Sequence, residues 1–382
     1  MKKIIIVNNN MRIGGVQKSL YNLLWTIKDQ YDVTLYLLYD EGSYELPPNV
    51  KVVRCNGSFR FFGKSQGQCT GIEKCKRGFL RLLCRFFTRS FTVKLMLLGQ
   101  RRVKEHYDCA IASLQNGNIR NLYGGVQDFV LHRVNADKKV AFLHCDYVQS
   151  GANEPQNNRL IEKFDQIVAC SDGCRHSFEK IMPQKKCVTV RNCHRFDEIR
   201  ALAGQDPVAY SDDCSNVLMV TRLAHEKGVE RALEAVAFAK KSGIAVRLHL
   251  VGDGAMREKL RELTQTLGIE DAVEFYGEQK NPYRFMLYAD LLLMTSFYEA
   301  APMVIEEAGS LGLPTLTTQT TSSQEMIGSN GWICENSQDA INATLCRILA
   351  HGEELMKMKQ TLLQQKANNT LACDQFTKLI EG

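Results

Sequence analysis

The sequence predicts an α/β protein of two domains, each built on a doubly wound parallel sheet. At 382 residues the chain is longer than one ordinary hydrophobic core supports. In both halves, apolar runs of strand length alternate with segments of helical periodicity, which is typical of repeated β-α units. The alternation breaks over 201–215, a polar stretch typical of an interdomain linker. We therefore expect a first domain over 1–205, a second over 206–365 and a segment, 366–382, that crosses back to the first.

The first half contains six predicted strands and one clear amphipathic helix. The helix follows Gly14-Gly15, and its apolar residues recur at helical spacing from Val16 to Ile27. The strands are predicted over Lys3–Asn8, Val33–Leu38, Asp108–Ala112, Lys139–Leu143, Gln166–Cys170 and Cys187–Val190.

The second half repeats the alternation more regularly. Strands are predicted over Asn216–Val220, Ala245–Val251, Ala272–Phe275, Leu291–Thr295 and Pro314–Thr318. Helices are predicted over Gly228–Lys241, Ala255–Leu267, Asn281–Ala289 and Pro302–Leu311. Ligands of such sheets lie outside the carboxyl ends of the strands, so we expect a site in a cleft between two facing domains.

The composition is that of a globular cytoplasmic protein. Apolar residues make up 45% and charged residues 24% of the chain, and the net charge of +6 gives no reason to expect a nucleic acid partner. No apolar run is long enough to predict a membrane span, and Met1–Val7 has the pattern of a buried strand rather than of a signal peptide. Fourteen cysteines without a framework fit a reducing compartment.

Two cysteine and histidine clusters invite a zinc interpretation. They are Cys170-x3-Cys174 with His176, and Cys187-x5-Cys193 with His194. Neither spacing is that of a recognisable zinc module, so no metal site is predicted.

Residues 59–104 form a basic insertion within the first domain. From Arg60 to Lys104 there are twelve Lys or Arg residues and one acid, Glu73. The run from Gly78 to Leu95 mixes Phe and Leu with regularly spaced Arg, which is typical of an amphipathic helix on an anionic membrane surface. An ordinary half-buried helix with its Arg side chains in water fits the same pattern, and both interpretations stay open.

Two carboxylates eight residues apart, Glu299 and Glu307, are the most informative feature of the second half. The first lies in the loop after strand Leu291–Thr295, and the second lies on the helix that Pro302 is expected to open. The free N–H groups of a helix start favour a phosphate. The pair therefore predicts a site for a nucleotide sugar.

Three further positions of the second half belong to this prediction. Arg222 and Lys227 lie between a strand and a helix, where a guanidinium and an ammonium group can bind one diphosphate from two sides. Gly252 ends the next strand in a turn that lets a nucleotide base approach the backbone. Solvated surface charges and a plain β-α turn are the alternative interpretations.

Three residues of the first half are weaker candidates. Gly14 and Gly15 open a helix after the first strand, and this allows close approach of a donor phosphate or sugar. His144 follows an apolar strand, at the end where ligands bind. The alternative interpretations are a helix cap for the two glycines and a structural hydrogen-bonding role for the histidine.

These motifs resemble the glycosyltransferase group 1 family, also called family 4, of retaining enzymes with the two-domain GT-B architecture. The resemblance is most specific from Val220 to about Gly331, where it rests on the following motifs: Arg222…Lys227-Gly228, Leu250–Gly254, Ala289-Asp-Leu, Glu299-x7-Glu307 and Leu311-Gly-Leu-Pro314. In the first half, Gly14-Gly15 and His144-x-Asp146 match the family more loosely. The stretch Gly277–Tyr283, with Glu299-Ala-Ala-Pro302, is similar to the bacterial branch that builds capsular and other exopolysaccharides.

The resemblance implies a role for each position. Arg222 and Lys227 would bind the donor diphosphate and neutralise the leaving group. Glu299 would contact the transferred sugar, the backbone at Met303 and Val304 would meet the phosphates, and Glu307 would bind the ribose hydroxyls. Gly14 and Gly15 would approach the donor from the first domain, and His144 would lie near the reacting carbon.

The implied activity is retaining transfer of a hexosyl-type group from a UDP- or GDP-sugar to a glycan or polyprenyl-linked acceptor. The chain has no Asp-x-Asp motif, so no metal and no further cofactor are expected. A cytoplasmic enzyme in peripheral contact with the inner face of the plasma membrane through 60–104 fits this activity. The alternative is a nucleotide-sugar-binding GT-B protein of another class: an epimerase, a phosphorylase or a non-catalytic module.

Two positions depart from the family pattern. Ala300-Ala301 replaces a frequent Gly-Phe, and Ser322-Ser323 replaces a frequent Gly-Gly, whereas Glu325 stays in register. These departures concern the identity of the sugar more than the class of enzyme.

Overall fold

The computed structural model describes residues 1–42, 44–64 and 67–382 and divides the chain into two compact units. The first unit contains Met1–Cys193 and Asn369–Gly382, and the second contains His194–Asn368. Each unit has one parallel β-sheet flanked by helices, so the predicted α/β class is confirmed.

The first unit contains a seven-stranded sheet. Its strands are β1 (Lys3–Asn8), β2 (Asp32–Leu37), β3 (Lys51–Arg54), β4 (His106–Ala112), β5 (Asn135–Leu143), β6 (Gln166–Ala169) and β7 (Cys187–Thr189). Their spatial order is β3-β2-β1-β4-β5-β6-β7, and every neighbouring pair is parallel. The chain reverses its direction of travel across the sheet between β1 and β4, where a doubly wound sheet binds its ligands.

The helices of the first unit connect these strands. In chain order they are α1 (Gly15–Ile27), α2 (Arg60–Gly63), α3 (Ile72–Leu98), α4 (Val126–Arg133), α5 (Pro155–Ile161) and α6 (Asp172–Ile181).

The second unit contains a six-stranded sheet. Its strands are β8 (Ser215–Val220), β9 (Val246–Val251), β10 (Val273–Gly277), β11 (Leu291–Met294), β12 (Thr315–Thr318) and β13 (Gly331–Cys334). Their order is β10-β9-β8-β11-β12-β13, again fully parallel, so the reversal lies between β8 and β11.

Seven α-helices lie in the second unit, residues 194–368, and the last α-helix of the described chain, α14, lies in the first. They are α7 (Phe196–Ala203), α8 (Val229–Lys241), α9 (Arg257–Leu267), α10 (Met303–Gly309), α11 (Ser323–Ile327), α12 (Gln338–Ala350), α13 (Gly352–Gln364) and α14 (Thr370–Glu381).

Each face of the second sheet has its own hydrophobic core, because successive strand side chains point to opposite faces. Val217 packs in one cluster together with Leu233 and Ile341 of the helices. Leu218 packs in the other, with Phe196 and Ile305. The alternation explains why these strands are continuous apolar runs.

The domain boundary predicted at 205/206 differs from the structure, which places it at Cys193/His194. Helix α7 precedes the polar stretch but packs in the second unit. Phe196, Ile199 and Ala203 are buried against the residues around Phe285, and the Asn281 side chain donates to the Leu202 carbonyl at 2.7 Å.

The C-terminal helix α14 packs in the first unit, within Asn369–Gly382, where the sequence placed the returning segment at 366–382. Phe376, Leu379 and Ile380 are buried in the cluster that contains Ile4 and Leu35. This contact ties the end of the chain to the first sheet.

One predicted helix, Asn281–Ala289, is wrong. The segment forms a single 3-10 turn over Tyr283–Phe285. The Phe285 carbonyl accepts a hydrogen bond from the Tyr210 hydroxyl at 2.8 Å rather than from a helical N–H.

Pro302 precedes its helix rather than opening it. Its ψ of 113° is extended, and α10 begins at Met303. The helix ends early, at Gly309 rather than at Leu311, because Gly312 adopts a φ of +79° and the N–H of Leu313 returns to the Ala308 carbonyl. The helix therefore has only seven residues.

Strands β3 and β13 are not predicted from the sequence. Both lie at an edge of their sheet and are mostly half-buried. An edge strand shows a weak apolar pattern because it has a neighbour on only one side.

Candidate functional site

The strongest candidates lie at the carboxyl ends of β8 and β11, where the second sheet reverses its order. Lys227 lies in the loop after β8, and Glu299 lies in the loop after β11. Adjacent parallel strands end at the same edge of a sheet, so the topology brings these two loops together.

Direct contacts join the two loops. The Thr295 hydroxyl donates to the Gly228 carbonyl at 2.7 Å, and the Phe297 N–H donates to the Glu226 carbonyl at 3.0 Å. Gly228 has a φ of +59°, and a Cβ there would lie 2.3 Å from the Thr295 carbonyl oxygen. Glycine at this position is therefore a requirement of the loop packing.

The loop contacts place Lys227 against Glu299. The Lys227 ammonium donates to Glu299 Oε1 at 2.6 Å, and the Ser296 hydroxyl donates to the same oxygen at 2.8 Å. The Lys227 side chain is 22% exposed and the Glu299 side chain 11%. Such a partly buried, charge-assisted pair is geometrically well defined.

The structure does not bring Arg222 to this pair. Its guanidinium forms an ion pair with Glu226 in the same loop, and its side chain is 67% exposed. An exposed pair of this kind holds its side chain weakly, so Arg222 can exchange Glu226 for another anion at little cost.

Glu307 lies within α10 and is 7% exposed. The Tyr283 hydroxyl donates to its Oε1 at 3.1 Å. Glu306 points elsewhere, with Oε2 at 2.9 Å from Nε2 of His194. Met303 and Val304 form the first turn of the helix, where backbone N–H groups have no intrahelical acceptor.

The structure gives Gly252 a packing role. With a φ of +136°, its added Cβ would lie 1.8 Å from the backbone oxygen of Thr221. Gly254, two residues further on, is similarly tight, because its added Cβ would lie 2.3 Å from the Leu223 carbonyl oxygen. These contacts explain both glycines without a ligand, and the nucleotide role of Gly252 stays a prediction.

We expect Gly252→Ala to destabilise the second unit by about 2–5 kcal/mol, because the clash adds to the strain of a positive φ. Thermal or urea unfolding measures the loss. Gly243→Ala is the control, since its φ is also positive and its Cβ would meet no atom of the described residues within 4 Å. Equal stability losses in the two variants would remove the packing explanation.

His144 lies beyond β5 in the first unit, beside a small cavity. The cavity walls include Ser19 and Leu20 of α1 and Ser113 after β4. Burial lowers the pKa of His144 to about 4, so the imidazole is neutral at physiological pH. A neutral imidazole can donate one hydrogen bond and accept another, but it carries no positive charge.

Gly14 and Gly15 lie at the start of α1 in the same unit. Gly14 is extended, and its added Cβ would meet only the flexible end of Gln17, at 2.8 Å. A Cβ at Gly15 would meet no heavy atom of the described residues within 4 Å. The described fold thus gives no packing reason for Gly15.

Sequence analysis missed the residues that hold the candidates in place. Ser296 and Tyr283 bond the two carboxylates. The guanidinium of Arg231 contacts the Thr295 carbonyl at 3.2 Å and Asn336 Oδ1 at 2.6 Å, and it lies over the Phe297 ring. No local motif links partners so distant along the chain.

Among residues 1–42, 44–64 and 67–382, no group of three or more His, Cys, Asp or Glu side chains is arranged to hold a metal ion. The same residues contain no helix long and apolar enough to span a bilayer.

Comparisons with known proteins agree with these motifs. Residues 210–364 match the model of the family described as glycosyl transferases group 1. The chain is 29% identical over 178 residues to WcaL of Salmonella typhimurium, a putative colanic acid biosynthesis glycosyltransferase, covering 41% of this chain and 43% of that protein.

A longer alignment matches a Campylobacter jejuni enzyme, N-acetylgalactosamine-N,N'-diacetylbacillosaminyl-diphospho-undecaprenol 4-alpha-N-acetylgalactosaminyltransferase. The identity is 23%, covering 86% of this chain and 84% of the enzyme. The first curated relatives are matched over only 34–54% of their length, about half or less.

The fold is shared over the whole chain. The crystal structure of Anabaena HepE with UDP and glucose superposes with a TM-score of 0.68 at 17% identity, covering 100% of both chains. That likeness shows that the architecture is GT-B. Within this fold, residues 210–364 of the second unit are the part of the chain that is similar to the glycosyltransferase group 1 family.

Proposed function

We propose that the protein is a retaining, hexosyltransferase-type enzyme that moves a sugar from a nucleoside diphosphate to a glycan or polyprenyl-linked acceptor. The observation on which this rests is the pairing of Lys227 with Glu299 at the reversal point of the second sheet, with the buried Glu307 on the following helix. The proposed pathway is the synthesis of a bacterial capsule or other surface polysaccharide.

The chemistry requires stabilisation of a departing diphosphate. Breaking the glycosidic bond places negative charge on the phosphate and positive charge on the sugar ring. A fixed ammonium stabilises this charge best where water is largely excluded. Lys227 meets both parts of that requirement. Its Nζ is fixed by the Glu299 carboxylate, and its side chain is mostly buried.

Glu299 has two parts in the proposal. Without a donor it orients Lys227 through the 2.6 Å contact. When the donor binds, the diphosphate shares the ammonium, and the carboxylate contacts the transferred sugar and its developing positive charge. Arg222 exchanges Glu226 for a phosphate oxygen, since an exposed pair is exchanged at little cost.

Glu307 binds the two ribose hydroxyls in the proposal. A carboxylate accepts several hydrogen bonds, and the Tyr283 hydroxyl occupies one position on Oε1. The backbone N–H groups of Met303 and Val304 bind phosphate oxygens. A cationic clamp takes the place of a metal, because the chain has no Asp-x-Asp motif to hold one.

The first unit supplies His144, Gly14 and Gly15 to the reaction. A neutral His144 donates or accepts one hydrogen bond with a sugar hydroxyl near the reacting carbon. Gly14 and Gly15 leave room for the donor to approach the backbone.

We expect Gly15→Ala to lower kcat/KM for the donor by about tenfold while thermal stability stays unchanged or rises. Alanine is the better helix former by about 1 kcal/mol, and the described fold leaves space for its Cβ. Kinetics and thermal unfolding are compared with Gly78→Ala, another helical glycine without a close neighbour among the described residues. Full activity in Gly15→Ala would exclude close approach of the donor there.

The relatives support the class of substrate. WcaL is named for colanic acid biosynthesis and the Campylobacter enzyme for a diphospho-undecaprenol acceptor. By analogy we propose a cytoplasmic enzyme that reaches its acceptor at the inner face of the plasma membrane, in peripheral contact through 60–104.

A two-step experiment tests the proposal. Thermal unfolding with a panel of UDP- and GDP-sugars identifies a donor, because selective binding raises the apparent stability. Transfer of the labelled sugar to lipid-extracted acceptors is then measured. Epimerised donor, consumption of inorganic phosphate, or binding without transfer or hydrolysis would instead indicate the epimerase, the phosphorylase or the non-catalytic module.

A further inference from the structure

Helix α3 of the first unit presents an apolar row to solvent. The row consists of Ile72, Cys75, Phe79, Leu82 and Phe86, followed by Phe91, Leu95 and Leu98, and is called here the outer face of α3. Alternating spacings of three and four residues place the first five on one side of the helix. Ile72 and Phe86 are each 74% exposed and Phe79 is 57% exposed.

The opposite side of α3 accounts for its attachment to the fold. Leu80, Cys84, Val93 and Met96 are buried. A helix that packs on a hydrophobic core needs only one apolar side, and its opposite side usually carries charged residues that face water. The outer face is therefore an additional apolar surface, of the kind that marks an interaction site.

The outer face is bordered by cations. Lys74, Arg81 and Arg85 follow one flank at spacings of seven and four, and Lys94 is exposed on the second half of the helix. Glu73 is the sole acid of α3. Its carboxylate already binds Arg60 at 2.9 Å and also Lys64, so it does not neutralise the positive charges that border the outer face.

A polar anchor holds α3 in place. The helix kinks at Thr88, which has a φ of +74°. The next N–H, from Arg89, donates to the Ile119 carbonyl at 2.7 Å. The buried Arg89 guanidinium pairs with Asp128 and donates to Asn157 Oδ1 at 2.8 Å. The outer face is thus preformed on the folded unit, which reduces the entropy cost of docking.

We propose that the outer face of α3 docks on an anionic lipid bilayer, with its phenylalanines inserted among the acyl chains and its Lys and Arg side chains among the headgroups. An interfacial helix makes two kinds of contact: its apolar residues meet the acyl chains, and its basic residues meet the anionic headgroups. The exposed Phe and Leu side chains, with cations beside them, match both. Two copies of this face would oppose like charges, which disfavours self-association. The inference deepens the proposed membrane contact and does not depend on the donor chemistry.

Co-sedimentation of the full chain with vesicles tests the inference. We expect binding to vesicles of phosphatidylcholine mixed with phosphatidylglycerol, weak binding to phosphatidylcholine alone, and a decrease with added salt. Phe79→Ser with Phe86→Ser is expected to weaken vesicle binding by about tenfold or more. Each phenylalanine ring that enters the bilayer removes apolar surface from water, and serine loses that contribution. Phe238→Ser, 46% exposed on α8, is the matched control and keeps full binding.

A second pair of variants tests the charges. Lys74→Glu with Arg85→Glu is expected to abolish the preference for anionic vesicles. Lys180→Glu with Lys186→Glu, two exposed lysines elsewhere in the first unit, keeps it. Thermal unfolding of each variant checks that the fold is intact.

Three results would overturn the inference. They are absence of wild-type binding to the mixed vesicles, equal binding by the outer-face variants and their controls, and self-association in sedimentation velocity that the Phe79→Ser, Phe86→Ser protein loses. Nucleotide binding, measured separately without vesicles, distinguishes a failure of this surface from a failure of the proposed transferase activity.

Discussion

Lys227→Met is expected to lower kcat for sugar transfer by about 10²–10³-fold, the usual effect of removing one group that stabilises charge in a transition state. Methionine keeps most of the side-chain volume and removes Nζ, which lies 2.6 Å from Glu299 Oε1. Steady-state transfer at saturating donor measures the effect. The fold is expected to persist, because Ser296 still bonds Glu299.

Lys240→Met is the matched control. Lys240 also contacts a carboxylate, that of Asp271, at 2.6 Å in the same unit, but far from the strand ends in question. Its loss should leave kcat unchanged. If Lys227→Met transfers sugar within about twofold of the wild type, the ammonium has no part in stabilising the leaving group.

Glu307→Gln is expected to weaken donor binding by about 10–100-fold, because hydrogen bonds to a charged acceptor contribute about 1.5–3 kcal/mol. The amide keeps the shape of the side chain and an oxygen for the Tyr283 hydroxyl. Titration calorimetry with the nucleoside diphosphate measures the loss.

The neighbouring acid supplies the control for this variant. Glu306→Gln changes the residue that contacts His194 and should leave donor affinity nearly unchanged. Tyr283→Phe should have a small intermediate effect, as expected of a positioning residue. A larger loss of donor affinity in Glu306→Gln than in Glu307→Gln would show that Glu306, and not Glu307, makes the ribose contact.

The sequence locates the main elements because their signals are local. Strands β8, β9, β11 and β12 are buried on both faces, so each is a continuous apolar run. The positions of the loops that contain Lys227 and Glu299 can be predicted as well, because each loop begins where one of those strands ends. Edge strand β3 escapes detection because its exposed side needs no apolar residues.

Features set by distant contacts are not predictable in this way. Thr295 bonds Gly228 from 67 residues away, and Tyr283 bonds Glu307 across 24 residues. Helix α7 joins the second unit through Phe196 and Ile199, although its own sequence precedes the polar stretch. Tertiary packing, rather than local pattern, decides each of these.

The outer face of α3 shows the same limit. The sequence indicates an amphipathic basic helix and leaves open whether its Arg side chains or its apolar residues face water. The structure shows both on the outside, because Cys84 and Met96 already fill the inner side.

Titration of ligand fragments against Lys227→Met and Glu307→Gln tests the central claim most directly. The fragments are the nucleoside, its diphosphate and inorganic pyrophosphate, with the base chosen by the thermal screen. The account predicts that Lys227→Met weakens the binding of the diphosphate and of pyrophosphate but not that of the nucleoside. It predicts that Glu307→Gln weakens the binding of the nucleoside and of the diphosphate but not that of pyrophosphate. Equal losses for all three fragments, or the reverse pattern, would contradict it.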